Sequence, residues 1–300
     1  MDMSERGATR ITLKSGRQVG VHQLADGGSG RTVVLCHPAP GSGAFDPDPE
    51  QTRERNVRLL AVDRPGYGLS DPLPDDVWSS VGQAADDLAE VLDGLDSGPV
   101  GVAGWSAGGR VALALAARRP DLVDRVVVFG TPAPHEKVPW IPDEILQGIS
   151  ALRGLPPEVV HTAMASQFEG MTGMDMRSHE ALELVGASPA DAEALDLPGA
   201  SESLATMLET AFRQGVTGLA SDLAGFSFQP WGFDPAQVQA KTLLMYGSSD
   251  PVAANRHATW WKNALPDARI EMSPGAGHLA ILLRWKRALS HLAPGTLRSA

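Results

Sequence analysis

The chain has 300 residues, 43% of them hydrophobic and 20% charged, with a formal net charge of −11 and a single cysteine. That length and apolar content suffice for one substantial core. Cys36, alone and without metal-ligand spacing around it, excludes an internal disulfide; no apolar run approaches the roughly 18 residues of a membrane span, and no basic patch with interleaved aromatics points to nucleic acid.

Taken in chain order, Arg10 to Leu24 reads as a hairpin turning at Lys14-Ser15-Gly16-Arg17. A β-prone run from Thr32 to Cys36 enters the loop His37-Pro38-Ala39-Pro40-Gly41-Ser42-Gly43. A second, Val57 to Asp63, enters Asp63-Arg64-Pro65-Gly66-Tyr67-Gly68-Leu69-Ser70, whose glycines permit a tight turn and whose Arg64 is an ion-pair former. A helix is expected near Ser79 to Leu95, and another over Gly109 to Arg118, between strands at Val100 to Ala103 and Val123 to Phe129. From about Pro134 to Pro235 the pattern changes to proline-punctuated helical stretches without a strand. Strands return at Thr242 to Tyr246 and Ala268 to Met272, separated by a helical stretch from Val252 to Leu265. Strands alternating with helices predict an α/β fold with a doubly wound, mostly parallel sheet.

Between the strand ending at Ala103 and the helix after it lies Gly104-Trp105-Ser106-Ala107-Gly108, a serine on a strand-to-helix elbow where Gly104 and Gly108 avoid clashes with chain passing close by. The string alone also fits a glycine-rich turn before an ordinary helix. Asp250 follows the strand ending at Tyr246; it is either an orienting acid or a turn-forming aspartate before Pro251. His278 lies in the glycine-rich loop Ser273-Pro274-Gly275-Ala276-Gly277-His278. A serine hydroxyl needs a base that titrates near neutrality, which histidine supplies, and an acid to hold the ring's tautomer. His22, His135, His161, His179, His257 and His291 fall in strand, lid or helical contexts that suit surface or core roles.

With its elbow in strand-to-helix context and the chain order serine, acid, histidine, the sequence resembles the α/β-hydrolase family over nearly its whole length outside the central insertion. It is similar to the lid-bearing branch of epoxide hydrolase-like, haloperoxidase-like and proline iminopeptidase-like enzymes, but with serine as nucleophile. The resemblance implies a mostly parallel eight-stranded sheet with helices on both faces, core segments 1–133 and 236–300, and a helical lid, 134–235, inserted after the sixth strand. It implies Ser106, Asp250 and His278 as nucleophile, orienting acid and general base. The loop at His37 resembles the family's H-G-x-P turn, with Pro38 where the family carries glycine. Since Pro38 and Pro40 have no N–H, Ala39 is the oxyanion donor there, and Ala107 is the second.

Between Pro134 and Pro235 there are 15 acidic and 4 basic residues, a net of −11 equal to that of the whole chain. Such acids either rim an entrance or solvate helix faces. Trp105, Trp140, Met164, Phe168 and Trp231 are candidate pocket residues, with Met171, Met174 and Met176 nearby; packing is the alternative role of each. Ser106 excludes the aspartate-nucleophile branches, and the only tyrosines, Tyr67 and Tyr246, lie outside the lid. The expected activity is hydrolysis of a small or medium carboxylic ester, lactone or related acyl compound through an acyl-Ser106 intermediate. A C–C hydrolase, perhydrolase or aminopeptidase would use the same triad, and a specialised biosynthetic catalyst or ligand-binding protein would reuse the fold. No phosphate loop, dinucleotide fingerprint or H-E-x-x-H is present, so no cofactor or metal is expected. Met1 to Arg10 lacks an apolar leader stretch, and the expectation is a cytoplasmic monomer or homodimer acting on a small molecule, without nucleic-acid or membrane partners.

Overall fold

In β3 (Thr32–Cys36) every side chain is buried, and alternate residues serve opposite faces: Val33 and Leu35 join one hydrophobic cluster, Val34 and Cys36 another. A parallel strand covered on both sides behaves this way. The pattern repeats in β4 (Arg58–Val62), β5 (Val100–Trp105), β6 (Val123–Phe129) and β7 (Lys241–Gly247): Ala103, Trp105, Val127, Phe129 and Met245 face one way, Val102, Val128 and Tyr246 the other. With β1 (Ala8–Thr12), β2 (Gln18–Ala25) and β8 (Ala268–Ser273) they form one eight-stranded sheet, ordered β1-β2-β4-β3-β5-β6-β7-β8. Pairing is antiparallel for β1 with β2 and β2 with β4, and parallel elsewhere. The computed structural model describes residues 7–27 and 30–295; Met1 to Arg6, part of the leader reading, lie outside the described residues.

Among the helices, α1 (Pro49–Arg55) was not evident from periodicity, yet it carries local signals. The Asp48 carboxylate accepts from Gln51 N–H at 3.0 Å, Pro49 opens the helix and Asn56 closes it in the left-handed region at φ 56°. Next, α2 (Val81–Gly94) is capped by Ser80 and buries Ala84, Ala85, Leu88, Val91 and Leu92 at helical spacing. α3 (Ala107–Arg118) begins immediately after Ser106, two residues earlier than expected, because β5 continues through Trp105 and the elbow has no intervening loop.

Between β6 and β7 six α-helices are inserted, with short 3-10 turns between them: α4 (Asp143–Ala151), α5 (Pro157–Phe168), α6 (His179–Glu183), α7 (Ala192–Leu195), α8 (Ala200–Ala211) and α9 (Thr217–Phe228). α6 and α8 send Leu182, Leu204, Met207 and Leu208 into the cluster on the Val33 face of the sheet, while α5 and α9 pack together around Val160, Met164, Ala220 and Ala224. After β7, α10 (Asn255–Ala264) starts three residues later than expected, since the N–H groups of Val252 and Ala253 are held by the Asp250 carboxylate. Finally α11 (Ala280–Leu292), which begins two residues after His278, buries Ile281, Leu282, Trp285 and Leu289 on the Val33 face; α2, α3 and α10 cover the other. Among the described residues no helix is long and apolar enough to cross a membrane.

Candidate active site

Ser106 has φ 53° and ψ −120°, a conformation that non-glycine residues rarely adopt and that marks a strained, tightly determined position. It is held from several sides: its N–H donates to Phe129 O at 2.8 Å, and its carbonyl accepts from the Thr131 hydroxyl at 2.7 Å. The glycines around it are required by close approach. A Cβ on Gly104 would lie 2.5 Å from Gly108 O, and one on Gly108 only 2.1 Å from Cys36 O and 2.5 Å from His37 O. The His37 loop therefore lies directly against the start of α3.

That loop is fixed by a buried arginine. Arg64 Nη1 donates to His37 O at 2.6 Å and Nη2 to Pro38 O at 2.7 Å, while Nε donates to Asp222 on α9 at 2.8 Å. Arg64 N–H also donates to His37 Nε2 at 3.1 Å, so the ring's proton is on Nδ1, which donates to Pro38 O at 2.8 Å. Burial and the Arg64 charge hold His37 well below the usual histidine range, hence neutral. With Pro38 O committed to two donors, the trans peptide directs the Ala39 N–H the opposite way, away from Arg64. Neither Ala39 N–H nor Ala107 N–H meets a protein acceptor among the described residues. Cys36, also buried here, has its thiol pushed up to about 12 by burial, against the opposing Arg64 charge, and is not a nucleophile.

Asp250 and His278 form a buried pair. Asp250 Oδ2 accepts from His278 Nδ1–H at 2.8 Å, and Oδ1 accepts from Val252 N–H at 2.7 Å and Ala253 N–H at 2.9 Å. Burial pushes the Asp250 carboxyl up, but the adjacent His278 and these hydrogen bonds outweigh it and hold the group below its ordinary value. The bond at Nδ1 leaves Nε2 as the unprotonated nitrogen of the neutral ring. Trp105, next to Ser106, is fully buried against His278: its indole N–H donates to His278 O at 3.1 Å and the two rings are 6.0 Å apart. No hydrogen bond joins Ser106 Oγ to His278; bonds of this kind commonly tighten only when the reacting complex forms.

The five residues grouped as pocket candidates are not brought to one wall. Trp105 supports His278, Met164 is buried between α5 and α9, and Phe168 bridges that cluster and the main one. Trp140 and Trp231, near the two feet of the insertion, instead flank Arg110 on α3, their ring centroids 5.9 and 4.5 Å from its Cζ. Burial pulls Arg110 down to about 10. Among the insertion's apolar side chains that reach the cluster containing Trp105 and Ala39 are Met171, Met174, Met176, Leu182 and Met207. Other histidines are structural: His22 pairs with Asp63 at 2.8 Å, and His257 Nδ1 accepts from Ala133 N–H at 3.1 Å. Sequence reading missed the Arg64 contact with the loop carbonyls, although it marked Arg64 as an ion-pair former; its partner lies 158 residues away.

A family model described as alpha/beta hydrolase fold matches residues 31–284, which spans the elbow, the insertion and the Asp250–His278 pair. The chain belongs to the alpha/beta hydrolase fold family. Among curated members it is 26% identical over 259 residues to the pimeloyl-[acyl-carrier protein] methyl ester esterase of Nitrosospira multiformis, covering 85% of this chain and 90% of that one. It is 28% identical over 297 residues to the 2-hydroxy-6-oxononadienedioate/2-hydroxy-6-oxononatrienedioate hydrolase of Cupriavidus pinatubonensis, covering 95% and 93%. A solved hydrolase structure from Pseudomonas aeruginosa superposes with a TM-score of 0.66 at 20% identity, covering 98% of this chain and 100% of that one, a likeness of fold. Relatives of this hydrolase fold thus include esterases and C–C hydrolases.

Proposed function

We propose that the protein is a serine hydrolase that cleaves a small or medium, uncharged carboxylic ester or lactone through an acyl-Ser106 intermediate. The observation that carries this reading is the buried Asp250–His278 pair, hydrogen-bonded through Nδ1, together with a serine on a strained elbow. In this mechanism His278 Nε2 takes the Ser106 proton as Oγ attacks the acyl carbon, and Asp250 stabilises the imidazolium. The tetrahedral oxyanion is held by the N–H groups of Ala39 and Ala107, each worth about 3–4 kcal/mol by analogy with measured oxyanion donors. His278 returns the proton to the leaving alkoxide. It then deprotonates water, whose attack releases the acid and regenerates Ser106.

The preference for uncharged substrate follows from charge. Between Pro134 and Pro235 the chain carries a net of −11, and an acidic covering disfavours anions approaching beneath it. Of the four bases in that span, Arg177 is paired with Glu202 and Glu209, and Arg213 is also engaged. A dioate, the substrate class named for the Cupriavidus relative, suits this lid poorly. The test is kcat/KM for p-nitrophenyl butyrate against its anionic counterpart, p-nitrophenyl hemisuccinate, at low and high salt. The neutral ester is expected to win by about tenfold at low salt, with the gap closing as salt screens the lid. Equal rates for the two esters at low salt, or a preference for the hemisuccinate, would overturn the charge argument; activity surviving in Ser106→Ala would overturn the mechanism.

A further inference from the structure

The insertion touches the catalytic histidine through one turn, the stretch from Gly186 to Asp191 between α6 and α7. Asp191 is 1% exposed, although it belongs to a segment whose acids are otherwise mostly at the surface. Its carboxylate is fully used. Oδ2 accepts from Ser188 N–H at 3.0 Å and from the Ser188 hydroxyl at 2.9 Å, and Oδ1 crosses to the core to accept from Leu279 N–H at 2.8 Å.

Leu279 is the residue after His278 and the N-cap of α11, a 13-residue helix without a side-chain cap of its own. The insertion therefore supplies the negative charge that a helix N-terminus favours, at the point where the histidine loop enters the helix. Space on the loop is reserved for it: a Cβ on Gly277 would lie 2.2 Å from Asp191 Oδ2. At the other end of the turn Gly186, at φ +81°, lies against the imidazole itself, since a Cβ there would come 2.6 Å from His278 Cδ2. One turn of the insertion thus holds the base by its backbone on one side and by its ring edge on the other.

We propose that Asp191 is a positioning residue for His278, which sets the base's orientation only while the lid is seated on the core. Catalytic competence then depends on lid position through the Asp191–Leu279 hydrogen bond, besides any contact the lid makes with substrate. This inference rests on the serine-hydrolase reading of the same site. Misplacing a catalytic group by about 1 Å costs on the order of a hundredfold in rate, so the effect should be large in kcat and small in KM.

The experiment compares wild type, Asp191→Ala and Asp191→Asn by steady-state hydrolysis of p-nitrophenyl butyrate, by the rate of fluorophosphonate labelling of Ser106, and by the downfield proton resonance of the His278–Asp250 hydrogen bond. Asp191→Ala is expected to lower kcat and the labelling rate together by about 10- to 100-fold, with KM within about twofold, and to shift or broaden the downfield proton. Asp191→Asn, which keeps an oxygen for Leu279 N–H, recovers a substantial part of the loss, and it carries the test if the alanine variant does not fold. Wild-type kcat, labelling rate and downfield proton in both variants overturn the proposal. Absence of labelling in the wild type would instead count against the hydrolase reading, and the downfield proton would still report whether Asp191 orients the ring.

Discussion

The sheet and the lid are held together by different means. In the sheet, β3, β5 and β6 bury apolar side chains on both faces, so its stability is spread over a large area of Val, Leu and Ala. The lid, besides packing apolar side chains of α6 and α8 on the Val33 face of the sheet, is tied to the core by a few polar contacts: Asp222 to Arg64, Asp191 to Leu279, the Ser42 hydroxyl to Met207 O, and Gln214 to the carbonyls of Gly68 and Ser70. Two of these ties end on the proposed site, one at the His37 loop through Arg64 and one at the His278 loop. An apolar contact area tolerates loss of any single contact, whereas polar ties concentrate their consequences in a few residues.

The largest expected effect on stability follows from cutting the Arg64 tie. Arg64→Ala leaves Asp222 buried without its cation and removes the donors to His37 O and Pro38 O. Removing one partner of such a buried pair costs about 3–5 kcal/mol, which chemical denaturation would read directly. Oxyanion stabilisation should fall too, because Ala39 N–H loses its fixed direction. If stability and kcat both stayed within error of the wild type, the lid would not be held in this way.

A smaller effect is expected at the junction beneath α8, where the Ser203 hydroxyl donates to Asp46 O at 3.3 Å. Burial raises the Asp46 carboxyl to about 6, against the opposing hydrogen bonds from Thr52 and Asp48. A carboxyl raised on folding contributes its stabilisation below the unfolded value near 4, and that contribution is lost as pH rises through about 6. Asp46→Asn keeps an acceptor for Thr52 and is expected to stabilise the protein by about 1–3 kcal/mol at pH 8, with the gain gone at pH 4. A gain independent of pH would rule out the ionised carboxylate as its source.

The same contrast governs what could be read from the residues alone. Apolar runs of strand length announce β3, β6 and β7 because two-sided burial demands continuous Val, Leu and Ile-like residues. Ser106, Asp250 and His278 stand out because each lies just past the end of a strand, β5, β7 and β8 respectively. The lid offers no comparable signal: its helices run from 4 to 12 residues, and α9 is buried on most of its circumference, which erases the amphipathic pattern. Trp140 and Trp231 look like pocket residues in sequence but pack on Arg110, a contact set by tertiary placement. Asp191 is one of 15 acids in its segment, distinguished only by Ser188 three residues before it, a capping-box pattern that says nothing about Leu279.

Mass spectrometry of the intact protein after exposure to a fluorophosphonate tests whether Ser106 is a nucleophile activated by His278. A single covalent adduct that maps to Ser106 and is lost in both Ser106→Ala and His278→Ala is expected. An unmodified wild type, or an adduct that persists at full rate without His278, would contradict it.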